Sequence, residues 1–65
     1  MDTLKKSIAT TQIHGKTKQE IADCRLDAGT PYALTDDEVN DPLGQGWVRI
    51  NVDGYLYDVL KGDLR

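Results

Sequence analysis

Apolar and polar positions alternate most clearly near the end of the chain, in residues 47–52 and 55–60. Between these runs lies Asp53-Gly54, a pair typical of the two-residue type I′ turn that joins antiparallel strands. The predicted cross-strand pairs are Val52 with Tyr55, Ile50 with Tyr57 and Val48 with Val59 on one face, and Arg49 with Asp58, Asn51 with Leu56 and Trp47 with Leu60 on the other. The pattern therefore predicts a β-hairpin whose apolar face packs on other elements, since an isolated hairpin is marginally stable.

The segment from Thr17 to Glu20 fits a capping box. In this motif the Thr17 hydroxyl accepts a hydrogen bond from the Glu20 amide, and the Glu20 side chain accepts one from the Thr17 amide. We therefore expect a helix over residues 18–28, ended by Gly29, which tolerates a left-handed conformation. Apolar residues spaced three and four apart give this helix a buried face. Cys24 lies on that face and is expected to be a small core residue.

A second helix start follows at Thr35, with Glu38 at the third helical position. The two aspartates directly after the threonine favour the positive end of a helix dipole. This helix must be short, because Pro42 disfavours helical backbone at the residue before it, Asp41.

Residues 5–14 fit two interpretations. Leu4 and Ile8 have helical spacing, which favours a helix, whereas Thr10 and Ile13 bring β-branched side chains that suit a strand. The helix is the favoured interpretation, and it gives three helices followed by the hairpin. A strand here gives the order βααββ with a three-stranded antiparallel sheet.

Both alternatives are α+β folds, in which one or two capped helices pack on the C-terminal antiparallel hairpin. A chain of 65 residues is long enough for one small domain, so residues 1–65 are expected to form a single domain. One small core supplies little stability. Cys24 is the only cysteine, which excludes an intramolecular disulfide, and a homo-oligomer therefore stays an open alternative.

Composition limits the location and the chemistry. No apolar run approaches the roughly 18–20 residues that span a bilayer, and residues 1–7 lack the apolar segment of a signal peptide. We expect a cytoplasmic protein without membrane association. Cys24 and His14 are the only cysteine and histidine, too few for a structural zinc site, and no glycine motif fits a phosphate or a dinucleotide. No metal and no cofactor are expected.

Catalytic chemistry is not expected either, because a domain this small offers little interior for a shielded pocket. His14 lies in a polar stretch and suits a surface or capping role. The acidic run 36–41 resembles a cation site by composition only, since it lacks the alternating ligands and central glycine of an EF-hand loop.

Charge is distributed unevenly along the chain, whose net charge is −3. Residues 1–18 contain four lysines and one acid, whereas residues 19–65 contain ten acids and four bases. Between Asp27 and Asp58, seven acids accompany Arg49 alone. Because a phosphate backbone repels such a surface, direct DNA binding is not expected.

These features predict a non-enzymatic protein-binding module, an inhibitor or adaptor that presents an acidic face to a protein partner with a basic surface, such as a nucleic-acid-binding protein. Aromatic side chains are the other candidate contacts, because tyrosine and tryptophan are enriched in binding hot spots. The candidate residues are Asp36, Asp37, Glu38 and Asp41 for the acidic face and Trp47, Tyr55 and Tyr57 for the aromatic contacts.

The alternative is a small DNA-associated regulator of winged-helix type. Residues 17–22 resemble the start of the second helix of a helix-turn-helix, and the hairpin would form the wing. The sequence departs from this motif in two ways. The glycine expected in the turn a few residues after Ala22 is found only at position 29, and the next predicted helix is acidic. No family is assigned on this basis.

Overall fold

The computed structural model describes residues 2–65, and these residues form an antiparallel β-sheet with no α-helix. The strands are β1 (Asp2–Thr3), β2 (Ile8–Ile13), β3 (Glu20–Leu26), β4 (Pro31–Leu34), β5 (Trp47–Val52) and β6 (Tyr55–Leu60), followed by a 3₁₀-helix over Lys61–Leu64. Their order in the sheet is β1-β4-β5-β6-β2-β3. The predicted α+β fold with capped helices is therefore wrong.

The C-terminal hairpin is confirmed. Strands β5 and β6 pair in the predicted register throughout, including Val52 with Tyr55. Asp53 and Gly54 have φ values of 52° and 88°, and positive φ at both central residues is what a type I′ turn requires. The Asn51 side chain also accepts a hydrogen bond from the Gly54 amide at 3.0 Å.

Strands β1 to β4 form one long, bent hairpin, in which the β2–β3 ladder is one half and the β1–β4 ladder is the other. Ile8 pairs with Leu26 in the β2–β3 ladder, and Asp2 pairs with Tyr32 in the β1–β4 ladder, which is the same register. The halves bend around residues 4–7 and 27–30. Because β2 also pairs with β6 and β4 also pairs with β5, the sheet curls onto itself around the C-terminal hairpin.

The core lies inside this curl. Its buried residues are Leu4, Ile8, Tyr32, Ile50 and Val59, and the partly buried residues packed against them include Leu26, Val48, Val52 and Tyr57. The predicted apolar face of the hairpin supplies the centre of the core, since Ile50 and Val59 are fully buried.

The helix expected over residues 18–28 is a strand. Thr17 Oγ1 accepts the Gln19 amide at 3.3 Å, so its hydroxyl bonds within the β2–β3 turn instead of capping a helix. The following residues then pair with β2. Gly29 has the expected positive φ, 85°, but it lies in the turn between β3 and β4.

The short helix expected after Thr35 is also absent from the described residues. Thr35 Oγ1 accepts the Asp37 amide at 3.3 Å and donates to the Arg49 carbonyl at 3.1 Å, so it closes a local turn and ties that turn to β5. Residues 35–46 form a connection without helix or strand, which we call the acidic loop.

For the ambiguous N-terminal segment the strand interpretation is right, over Ile8–Ile13, and the favoured helix is wrong. The sheet has six strands, whereas the strand interpretation predicted three. The winged-helix alternative depends on a helix after Thr17, where the structure has β3.

Candidate functional site

An ion pair between a buried arginine and a half-buried aspartate marks the face of the sheet that points away from the core, which we call the polar face. Arg49 on β5 and Asp58 on β6 are cross-strand neighbours. Arg49 Nε donates to Asp58 Oδ1 at 2.7 Å and Nη2 donates to Oδ2 at 3.2 Å, so the contact is bidentate. The two side chains are only 7% and 13% exposed. The hydrogen bond to Asp58 raises the pKa of Arg49 above its ordinary value, which keeps the guanidinium charged.

The acidic loop folds over this pair. Asp37 Oδ2 lies 3.5 Å from Arg49 Nη1 and 3.4 Å from Lys18 Nζ, which belongs to the β2–β3 turn. Arg49 therefore bridges two carboxylates, one on the sheet and one on the loop. Further along the loop, Val39 and Asn40 help to line a cleft of about 210 Å³ on the polar face.

Asp41 organises the return of the loop to β5. Its carboxylate accepts backbone hydrogen bonds from Gln45 at 2.9 Å, Gly46 at 2.9 Å and Trp47 at 3.3 Å. These bonds, with those from Gln45 and Gly46 the strongest, lower the pKa of Asp41 below its ordinary value of 3.8. Gly44 and Gly46 have φ values of 63° and 88°, a conformation that favours glycine in so tight a return.

The predicted acidic residues therefore divide into two pairs. Asp37 and Asp41 hold the loop by bonds within the protein, whereas the exposed side chains of Asp36 and Glu38 make no hydrogen bond or ion pair with residues 2–65. Leu43, on the same loop, is 79% exposed. The surface that the loop offers to a partner therefore includes two free carboxylates and one large apolar side chain.

The predicted aromatic residues do not form one surface. Trp47 is half-buried, and its Nε1 donates to Gln45 Oε1 at 3.1 Å beside the acidic loop. Tyr57 packs against the core, where burial raises the pKa of its phenol. Tyr55 is 57% exposed and follows the hairpin turn. Trp47 alone is close to the acidic loop.

His14 and Cys24 have modest structural roles. His14 is exposed, and its Nδ1 accepts the backbone amides of Lys16 at 3.1 Å and Thr17 at 3.2 Å in the β2–β3 turn. Cys24 is half-buried on β3 and lies outside the core cluster, so its expected role as a core residue on a helix face is wrong. Its Sγ lies 3.7 Å from Gln12 Oε1.

Residues 2–65 contain neither a candidate metal site nor a helix that could cross a membrane. No group of three or more histidine, cysteine, aspartate or glutamate side chains could hold a metal ion within that range. Nor does that part of the chain contain a helix that is long and apolar enough to cross a membrane.

Sequence reasoning did not identify Arg49 as the organising residue of this site. Two features of the sequence could have identified it. Arg49 is the only base between Asp27 and Asp58, and the predicted hairpin register places it in the middle of a strand, directly opposite Asp58. A lone cation surrounded by carboxylates is well placed to gather more than one of them.

No protein-family model matches this chain, and neither the curated proteins nor the solved structures contain a significant match to it.

Proposed function

We propose that this protein is a non-enzymatic protein-binding module that presents the acidic loop to a basic surface of a protein partner. The observation that supports the proposal is the way the loop is held. It contains four acids and no base. Arg49 fixes its first half through Asp37, and Asp41 fixes its second half through three backbone amides.

An ordered loop suits binding, because less conformational entropy is lost when the partner docks. Loops held by a rigid scaffold commonly carry the contacts of a binding protein. Exposed carboxylates such as Asp36 and Glu38 attract a cationic partner and act mainly on the rate of encounter. The exposed Leu43 offers an apolar contact next to those charges.

The charge distribution favours a protein partner over duplex DNA. Two of the four N-terminal lysines lie near acids of the protein itself, with Lys6 Nζ 3.8 Å from Asp63 and Lys18 Nζ 3.4 Å from Asp37. The acidic loop would repel a phosphate backbone. The same charge imitates nucleic acid, which suits an inhibitor or adaptor that acts on a nucleic-acid-binding protein.

The test is affinity capture of host proteins on the wild-type protein, with and without nuclease, followed by binding kinetics with the purified partner. The variant Asp36→Asn/Glu38→Gln removes two exposed charges from the loop. The matched control Asp2→Asn/Asp27→Asn removes two exposed charges elsewhere. We expect the loop variant to associate several-fold more slowly and with a weaker salt dependence, while its dissociation rate changes little.

Equal kinetics for the loop variant and the control would contradict the proposal. A shift of duplex DNA by the wild-type protein alone at physiological salt would contradict it as well.

A further inference from the structure

Strand β3 has an open edge. It is the longest strand of residues 2–65, lies at the end of the strand order and pairs only with β2. The Cys24 carbonyl accepts a hydrogen bond from Thr10 Oγ1 at 3.2 Å, so it points toward β2. Because backbone groups alternate along a strand, those of Asp23 and Arg25 point to the open side. An edge of this kind is a template for a further strand.

Symmetry limits how a second copy can pair with this edge. In a twofold antiparallel ladder, facing residues have their side chains on the same side of the sheet, so the ladder must be centred on one residue. Centring on Asp23 would place two carboxylates opposite each other. Centring on Ala22 would extend the ladder into Ile21, the extra residue of the β-bulge opposite Gln12 and Ile13.

Centring on Cys24 removes both conflicts. Each Asp23 then lies opposite the second copy's Arg25, so two pairs of opposite charge form. The Asp23 side chain is exposed, and its carboxylate makes no hydrogen bond or ion pair with residues 2–65. Arg25 uses only its Nε, which donates to Ser7 Oγ at 2.9 Å, so its terminal nitrogens remain available. We propose that the protein forms a homodimer through an antiparallel β3–β3 ladder centred on Cys24.

Charge reversal tests the register. Asp23→Arg and Arg25→Asp each place like charges opposite one another at two positions, and should raise the dimer dissociation constant roughly tenfold in sedimentation equilibrium. An equimolar mixture of the two variants should dimerise again, because one chain then carries both bases and the other both acids. The double variant Asp23→Arg/Arg25→Asp should also dimerise. Circular dichroism of each variant checks that it is folded.

Cysteine cross-linking tests the centre of the ladder. The Cα atoms of the two Cys24 residues should lie about 4.5 Å apart, which allows a disulfide. Mild oxidation of the wild-type protein should therefore give a reducible dimer. In the control Cys24→Ser/Ala22→Cys, the two thiols should be offset by roughly 14 Å along the ladder, and cross-linking should be lost.

A wild-type protein that stays monomeric up to its solubility limit would overturn the proposal. So would a dimer that survives each single charge reversal, or a control that cross-links as fast as the wild type. The proposal is independent of the acidic loop, since Asp36→Asn/Glu38→Gln leaves β3 unchanged.

Discussion

Two turns of the protein are fixed by one or two residues each: the hairpin turn by Asp53 and Gly54, and the return of the acidic loop by Asp41. The first two adopt positive φ and set the register of the hairpin that supplies the centre of the core. Asp41 gathers three backbone amides and closes the acidic loop. Each effect comes from local backbone geometry or bonding, so single substitutions can test it.

Gly54→Val should lower the free energy of unfolding by about 1–2 kcal/mol, because a β-branched residue resists left-handed backbone. An added Cβ would meet nothing within 4 Å at this position, so the cost is conformational and not steric. Gly15→Val is the matched control, since Gly15 is equally open but lacks positive φ. Equal losses for the two variants in urea denaturation would contradict this account of the turn.

The Asp41 carboxyl should titrate below its ordinary value of 3.8, because backbone donors favour its charged form. A lowered folded-state pKa means that Asp41 stabilises the loop fully above pH 3.8, and that this contribution is lost as the pH falls through the lower value. Carboxyl NMR shifts measure the midpoint, with Asp41→Asn identifying the resonance. A midpoint at or above 3.8 would rule out the proposed anchoring.

Single residues predicted a turn correctly only where the residue type specifies the backbone conformation. Asp53-Gly54 demanded positive φ and gave the right turn and register. Thr17 and Thr35 were misleading, because a hydroxyl that accepts a nearby amide can cap a helix or close a turn. The two outcomes differ only in what the following residues contact.

At the scale of elements, those contacts decided the structure. The residues of β3 have a helix-compatible pattern, but they pair with β2, whose β-branched residues suit a sheet. Such long-range pairing overrides local helix preference and leaves no mark in a short sequence window. The hairpin was predictable because its strands are joined by only two residues.

Arg49 links three elements, β5, β6 and the acidic loop. Arg49→Met should cost about 2–4 kcal/mol of stability, because it leaves the half-buried Asp58 carboxylate without its partner. Asp37→Asn should cost less than about 1 kcal/mol, since Asp37 is much more exposed. Replacing both members of the ion pair, as in Arg49→Met/Asp58→Leu, should recover part of the loss. Thermal and urea unfolding measure all three variants, and equal costs for Arg49→Met and Asp37→Asn would contradict the assigned roles.

At the scale of the whole molecule, a curled sheet carries an ordered acidic loop on its polar face. The sequence indicated the four acids of this site, but it could not separate Asp37 and Asp41, which hold the loop, from Asp36 and Glu38, which face outward. That division depends on the register of β5 and β6 and on the path of the loop. Charge counting alone therefore overestimated the acidic surface available to a partner.

The central claim is that the acidic loop is ordered before any partner binds, and backbone ¹⁵N relaxation of the free protein tests it most directly. We expect the amides of residues 36–46 to have order parameters close to those of the strands, about 0.85. In Arg49→Met the order parameters of residues 36–40 should fall below about 0.6, while the strands and the second half of the loop, which Asp41 holds, stay rigid. Order parameters below about 0.6 for this loop in the wild-type protein would contradict the account.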